Sequence, residues 1–154
     1  DYVTLSGLGK GGLVIGDNVK IDDFSRVEVS QTFGDIGREI VIGNNVGISS
    51  FAGIGGSGGL RIGDNCIIGQ YFSCHPENHI FSDPNTLIRL QGVTRKGIVI
   101  GENCWIGAKV TILDGVSIGS GSVIGAGSVV TRSFPDNSIL VGVPARIVNG
   151  SRDE

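Results

Sequence analysis

Two side chains in this sequence can exchange a proton near neutral pH, His75 and His79, and both fall in the short stretch CHPENHIF. An imidazole suits one task well. It can take the proton of a hydroxyl as that hydroxyl attacks an electrophile, because an alcohol by itself is a poor nucleophile at pH 7. Backbone N–H groups exposed at glycine-rich corners are the matching donors for the oxyanion such an attack creates. Metal chemistry fits less well: a catalytic zinc wants three protein ligands and an open fourth position, whereas the chain has 2 histidines in all, spaced His-x3-His in an irregular segment. The 3 cysteines, Cys66, Cys74 and Cys104, form no Cys-x-x-Cys pair. Their odd number reads as reduced thiols of a cytoplasmic protein rather than a disulfide framework.

Something rigid must hold the histidines, and most of the chain is a six-residue repeat. Ile100, Ile106, Ile112, Ile118, Ile124 and Val130 follow one another at intervals of six, and the small or β-branched Cys104, Val110, Val116, Ser122 and Ser128 come four residues after the first five. Each hexad therefore offers two inward side chains on a short strand and spends the rest on a corner. A second run, Ile36, Ile42, Ile48, Ile54, slips by two residues in GGSGG and resumes at Ile62, Ile68 and Cys74; a weaker one opens with Ile15, Ile21 and Val27. Three hexads close a triangular coil of about 18 residues, and parallel stacking of such coils makes an all-β prism filled by aliphatic ladders. Corner sequences such as IGDN, IGNN and IGEN tolerate the left-handed backbone that tight corners require. In this register Cys66 and Cys104 take the small inward position and Cys74 heads its hexad, so all three read as core thiols. The spacing leaves the hand of the coil open.

Residues 75–97 (HPENHIFSDPNTLIRLQGVTRKG) break the register in a long polar excursion with both histidines at its mouth, and a smaller break falls at 28–35. Compact domains seldom keep such a loop without a functional reason, which weakens the reading of a purely structural solenoid. The chain of 154 residues reads as a single domain, 1–154, and its 27 glycines and 6 % aromatic residues suit tightly turned β structure rather than a helical bundle. No apolar run reaches the roughly 18 residues of a membrane-spanning helix. A net charge of −3 argues against nucleic acid as the main partner. The opening DYVTLSG lacks the basic-then-apolar pattern of a signal peptide, and the absence of any Met reads as a processed or trimmed form. The closing IVNGSRDE reads as the start of a tail.

The segment VIGENCWIGAKVTILDGVSIGSGSVIGAGSVVTRSFPDNSILVGVPARIV, residues 99–148, resembles the C-terminal half of the hexapeptide-repeat O-acetyltransferases, among them the galactoside, maltose and polysaccharide acetyltransferases. The likeness is recognisable from about residue 36 and only periodic before it. It implies a left-handed parallel β-helix, a homotrimer with active sites between subunits, and acetyl-CoA along the coil surface. The implied reaction is acetyl transfer to a carbohydrate hydroxyl by a His base, with no metal required; since the three cysteines read as core thiols and none as a nucleophile, the transfer is expected to be direct, with no acyl-enzyme. A His-Pro pair marks the base in the galactoside and maltose enzymes, which favours His75. In the same relatives the base lies eleven residues beyond the aliphatic that opens the Ile-Gly coil, and eleven beyond Ile68 is His79. Because position on a rigid prism decides where a side chain points, His79 is taken as the base and His75 as the runner-up. Glu77 and Asp83 are candidates to orient the imidazole.

The resemblance further implies that Trp105 stands beside the catalytic channel or packs at the trimer interface, and that Ala108 and Ala126 let the pantetheine arm approach the backbone. Thr131, Arg132 and Arg146 would hold the nucleotide end, where hydroxyls and cations suit phosphate oxygens. Where the galactoside and maltose enzymes carry an Asn near the acceptor hydroxyl, this chain has Ser49, a departure that bears on the acceptor. The loop HPENHIFSDPN…IRLQGVTRKG is more similar to that of polysaccharide-modifying acetyltransferases, which points to a polysaccharide precursor. Other proteins on the fold set the alternatives. A γ-type carbonic anhydrase needs three zinc-binding histidines; serine acetyltransferases and sugar nucleotidyltransferases carry a further domain; a trimeric β-helix scaffold is the non-enzyme reading.

Overall fold

The computed structural model describes residues 2–30 and 36–148. Successive side chains of a strand point to opposite sides, so short strands with aliphatics at alternate positions can bury one side if the chain coils round upon itself. It does so in three faces among the described residues. The first stacks Thr4–Ser6, Arg26–Glu28, Gly53–Gly55, Ser73–His75, Thr111–Leu113 and Val129–Val130. The second stacks Gly9–Ile15, Gly37–Ile42, Leu60–Ile62, Ile98–Ile100 and Ser117–Ile118. The third runs from Lys20–Ile21 through Gly47–Ile48, Ile67–Ile68, Trp105–Ile106 and Val123–Ile124 to Ile139–Val141, and the antiparallel strand Arg146–Ile147 ends it. The chain visits the faces in rotation, and the pairing between successive coils is parallel.

The inward ladders are those the repeat predicts. Val27, Ile54, Cys74, Ile112 and Val130 stack on the first face, Ile42, Ile62, Ile100 and Ile118 on the second, and Ile48, Ile68, Ile106, Ile124 and Leu140 on the third. All are buried, and each such side chain contributes about 1.5–3 kcal/mol by leaving water. Ser122 and Ser128, also inward, would be costly there with free hydroxyls. Each instead donates to a carbonyl at 2.7 Å, Gly119 and Gly125 respectively. At the corner between the second and third faces, Asn18, Asn45, Asn65 and Asn103 all hold positive φ, between 54° and 60°. Their amides bond up the column, Asn18 Nδ2 to Asn45 Oδ1 at 2.9 Å and Asn45 Nδ2 to Asn65 Oδ1 at 3.2 Å.

Three expectations need correcting. Ile36 is exposed rather than inward, because it lies ahead of the strand Gly37–Ile42, on which Ile42 takes its expected inward place and Ile40 is buried beside it. The expected break at 28–35 begins within the strand Arg26–Glu28, and residues 31–35 lie outside the described ones, as do 149–154 of the expected tail. The excursion starts later than residue 75: His75 still belongs to the first face, Pro76 is buried behind it, and the coil resumes at Gly97. Between them Asn78–His79 pairs antiparallel with Val93–Thr94, with a 3-10 turn at Ile88–Leu90. No helix among the described residues is long and apolar enough to cross a membrane.

Candidate functional site

On the first face the outward side chains form columns at right angles to the strands. Arg26 and Glu28 stand on one rung, Gly53 and Gly55 on the next, Ser73 and His75 on the one above. With no side chains on the middle rung, a notch of about 220 Å³ opens, floored by Gly53 and Gly55. Its lower wall is an ion pair, with Arg26 Nη2 at 2.8 Å from Glu28 Oε2 and 3.0 Å from Oε1. Next to its upper wall the Ser73 hydroxyl and His75 Nε2 share a hydrogen bond of 2.6 Å. The hairpin leaves the prism directly after this wall.

Its neck is held by charge and by backbone bonds. Arg95 Nε donates to Glu77 Oε2 at 2.8 Å, and Asp114 on the coil above accepts from the N–H groups of Lys96 and Gly97 at 2.8 Å each. Thr94 Oγ1 adds a bond to the same carboxylate at 3.3 Å. Farther out, Asp83 accepts from Thr86 Oγ1 at 2.7 Å and from the Asn85 N–H at 2.9 Å, and the Thr86 bond leads in pulling its carboxyl below the usual range. Both carboxylates considered as orienters of an imidazole are thus engaged within the loop.

His79 lies on the hairpin, opposite Val93, exposed and with no side-chain partner among the described residues. Counting along from Ile68 assumes an unbroken coil, in which Ile80 would head the hexad after Cys74. That place above Ile62 belongs to Ile100, because the chain detours before re-entering the second face. His79 is therefore off the prism, and His75 is on it.

The remaining candidates sit around the same face. Trp105 is exposed on the third face between Ile67 and Val123. Ala108 and Ala126 occupy equivalent places at the corner between the third and first faces, each two residues after the paired Ile106 and Ile124. Ser49 follows Ile48 into that same corner, half-buried, and its carbonyl accepts from Ser25 Oγ at 3.4 Å. Thr131 stands one residue beyond Val130 as His75 stands one beyond Cys74, two rungs higher in the same column. The Arg132 guanidinium lies over the Phe134 ring, 5.2 Å from its centre, and Arg146 is exposed on the closing antiparallel strand. One chain thus gathers Ser49, Ala108 and Ala126 at the corner where the third face meets the first, with Trp105 on the third face, and carries His75 at the far end of the first face and His79 on the hairpin beyond it.

The thiols are core groups, as their register implies: Cys66, Cys74 and Cys104 are all buried. Burial pushes Cys74 up to about 12, and the neighbouring Cys104 thiol together with burial raises Cys66 well above its ordinary value. Sequence reasoning passed over Arg26, Glu28, Gly53, Gly55 and Ser73. A signal was present: flanking each inward aliphatic are two outward residues, and at Ile54 both of these are glycine.

Comparison with known proteins adds the following. Residues 97–132 match the family described as bacterial transferase hexapeptide (six repeats). The chain is similar to the galactoside O-acetyltransferase of Escherichia coli (strain K12), 36 % identical over 98 residues, which are 61 % of this chain and 45 % of that protein. WbbJ of the same strain, whose name assigns it provisionally to lipopolysaccharide biosynthesis as an O-acetyl transferase, is 31 % identical over 94 % of this chain and 63 % of its own length. The chain spans 43 % and 63 % of the first two curated relatives it matches. Among solved structures, the hexapeptide-repeat acetyltransferase VCA0836 of Vibrio cholerae, complexed with acetyl coenzyme A, superposes with a TM-score of 0.75 at 28 % identity, covering 90 % of this chain and 71 % of that one.

Proposed function

The chain is a hexapeptide-repeat protein of the left-handed β-helix type, and on that footing we propose that it is an acetyl-CoA-dependent O-acetyltransferase acting on a sugar hydroxyl. The observation that carries the reading is the pair of exposed imidazoles where the hairpin leaves the prism, in a chain similar to an acetyltransferase solved with acetyl coenzyme A. His79 is the proposed base. Its ring is exposed and has no side-chain partner among the described residues, whereas His75 Nε2 is tied to Ser73; His75, on the rigid coil, is the runner-up.

The base takes the acceptor hydroxyl proton as the oxygen attacks the thioester carbonyl. Backbone N–H groups stabilise the oxyanion, and collapse expels the CoA sulfur, which recovers the proton from the imidazolium. Trp105, Ala108, Ala126, Thr131, Arg132 and Arg146 are proposed to hold acetyl-CoA, and Ser49 to face the acceptor. The width of the first face separates Ser49, Trp105 and the alanines from the histidines within one chain. This supports a homotrimer in which one subunit's histidine edge meets its neighbour's alanine edge. Exposed Ile67 and Trp105, on neighbouring rungs, give an apolar motive for such contact. The acceptor is taken to be a polysaccharide precursor, on the likeness of the loop and of WbbJ, and the reaction to be cytoplasmic, where thiols stay reduced.

Coenzyme A release from acetyl-CoA, measured against sugars, nucleotide sugars and lipid-linked oligosaccharides, tests the reading. His79→Ala is expected to lower turnover by about 10²–10⁴-fold with the fold intact. Loss in His75→Ala alone moves the base to that residue, and a parent that binds acetyl-CoA yet transfers to no acceptor overturns the proposal.

A further inference from the structure

We propose that the notch floored by Gly53 and Gly55 is the acceptor subsite and takes one neutral pyranose unit; the assignment to an acceptor rests on the transferase reading above. A glycine in a strand weakens it, and commonly marks a place where a ligand or another backbone comes close. Neither glycine here is required by the fold. A side chain at Gly53 would meet nothing within 4 Å, one at Gly55 only the Cys74 carbonyl and the Pro76 ring at 3.3 and 3.4 Å, and neither has positive φ. Their effect is to leave a space.

The dimensions and chemistry of that space fit a sugar ring. The walls are two rungs apart, roughly 9 to 10 Å, and the volume of about 220 Å³ is below the ~300–1,000 Å³ of sites for drug-sized ligands. One monosaccharide is the appropriate scale. The floor is strand backbone with no outward side chain at Gly53 or Gly55, so a pyranose ring can approach it closely. Glu28, whose side chain is 14 % exposed, turns a carboxylate to the rim, where it can accept from adjacent hydroxyls while Arg26 donates. The pair neutralises itself, which favours a neutral sugar over a uronate. His75 on the upper wall brings the notch to the root of the hairpin that carries His79.

Gly53→Val puts a branched side chain into the notch from a position where the added Cβ meets nothing within 4 Å, with a residue that favours strands. The experiment titrates the parent and this variant with methyl glycosides of neutral hexoses, one at a time, by calorimetry or saturation-transfer NMR, alongside acetyl-CoA binding and thermal midpoint. The expected result is hexoside binding by the parent, at least about tenfold weaker in Gly53→Val and in Glu28→Gln, with acetyl-CoA affinity unchanged and the midpoint no lower in Gly53→Val. Where the parent turns over, acceptor KM rises in step. Hexoside binding that Gly53→Val leaves intact, binding of methyl glucuronide alone, or no hexoside binding by the parent overturns the subsite. A parent that binds hexosides through the notch but never transfers acetyl overturns the transferase reading instead, so the two failures are distinguishable.

Discussion

Burial separates the thiols of the core from the imidazoles of the surface, and the difference is measurable. Cys74 keeps its proton up to about pH 12 in the folded chain because the prism excludes water, whereas an unfolded thiol releases it near 8.5. Above that pH the unfolded state binds fewer protons than the folded one, so stability falls as pH rises from about 8.5 toward 12, by up to about 1.4 kcal/mol per pH unit for this thiol. Urea unfolding at pH 7 and pH 10 should show the drop, and Cys74→Ala should reduce it, leaving the share of Cys66, whose thiol is raised as well; an identical slope in the variant would mean that Cys74 contributes nothing. The histidines carry the opposite lesson. Counting along the repeat leads to His79 only on a coil that the chain leaves, so its candidacy stands on exposure and on a side chain without a partner among the described residues.

The hairpin is the element that brings chemistry to an otherwise repetitive prism, and its neck depends on Asp114 more than on its own sequence. One carboxylate there collects two backbone N–H groups and a hydroxyl. Asp114→Ala would strand the two N–H groups, at a cost of about 1–3 kcal/mol if water does not replace the acceptor. Limited proteolysis should then cut within residues 77–96 faster than in the parent while the coils stay protected; unchanged cleavage would show that the Glu77–Arg95 pair suffices. The excursion was legible as a break in the six-residue pattern. Its exit point was not, because Pro76 is buried as part of the corner although its neighbours in sequence are polar.

The molecule as a whole is a stack whose stability is shared along continuous ladders. Ile106 sits between Ile68 and Ile124 with no exposure to solvent, so Ile106→Ala should cost about 2–5 kcal/mol by leaving a cavity that the rigid coils close only in part. A urea midpoint within error of the parent would contradict that picture. The proposed trimer belongs to the same scale: light scattering should find three chains, and a charged substitution at Ile67 should release monomers that remain folded but lose turnover, since one chain divides the candidate residues between two edges of a face.

The sequence by itself determined the prism, because its causes are local: aliphatics at intervals of six, small inward partners four residues on, and Asn or Gly at the left-handed corner between the second and third faces. It determined also that both imidazoles lie at the one long interruption. Only the tertiary structure decided which outward residues become neighbours. Val27, Ile54, Cys74, Ile112 and Val130 stack directly although 18 to 38 residues separate successive members, so distance along the chain gives no rung spacing. Arg26 and Glu28 therefore meet Ser73 and His75 across two glycines for a reason absent from any single hexad: the coils between them differ in length, and hydrogen bonding between strands, not sequence interval, sets the register.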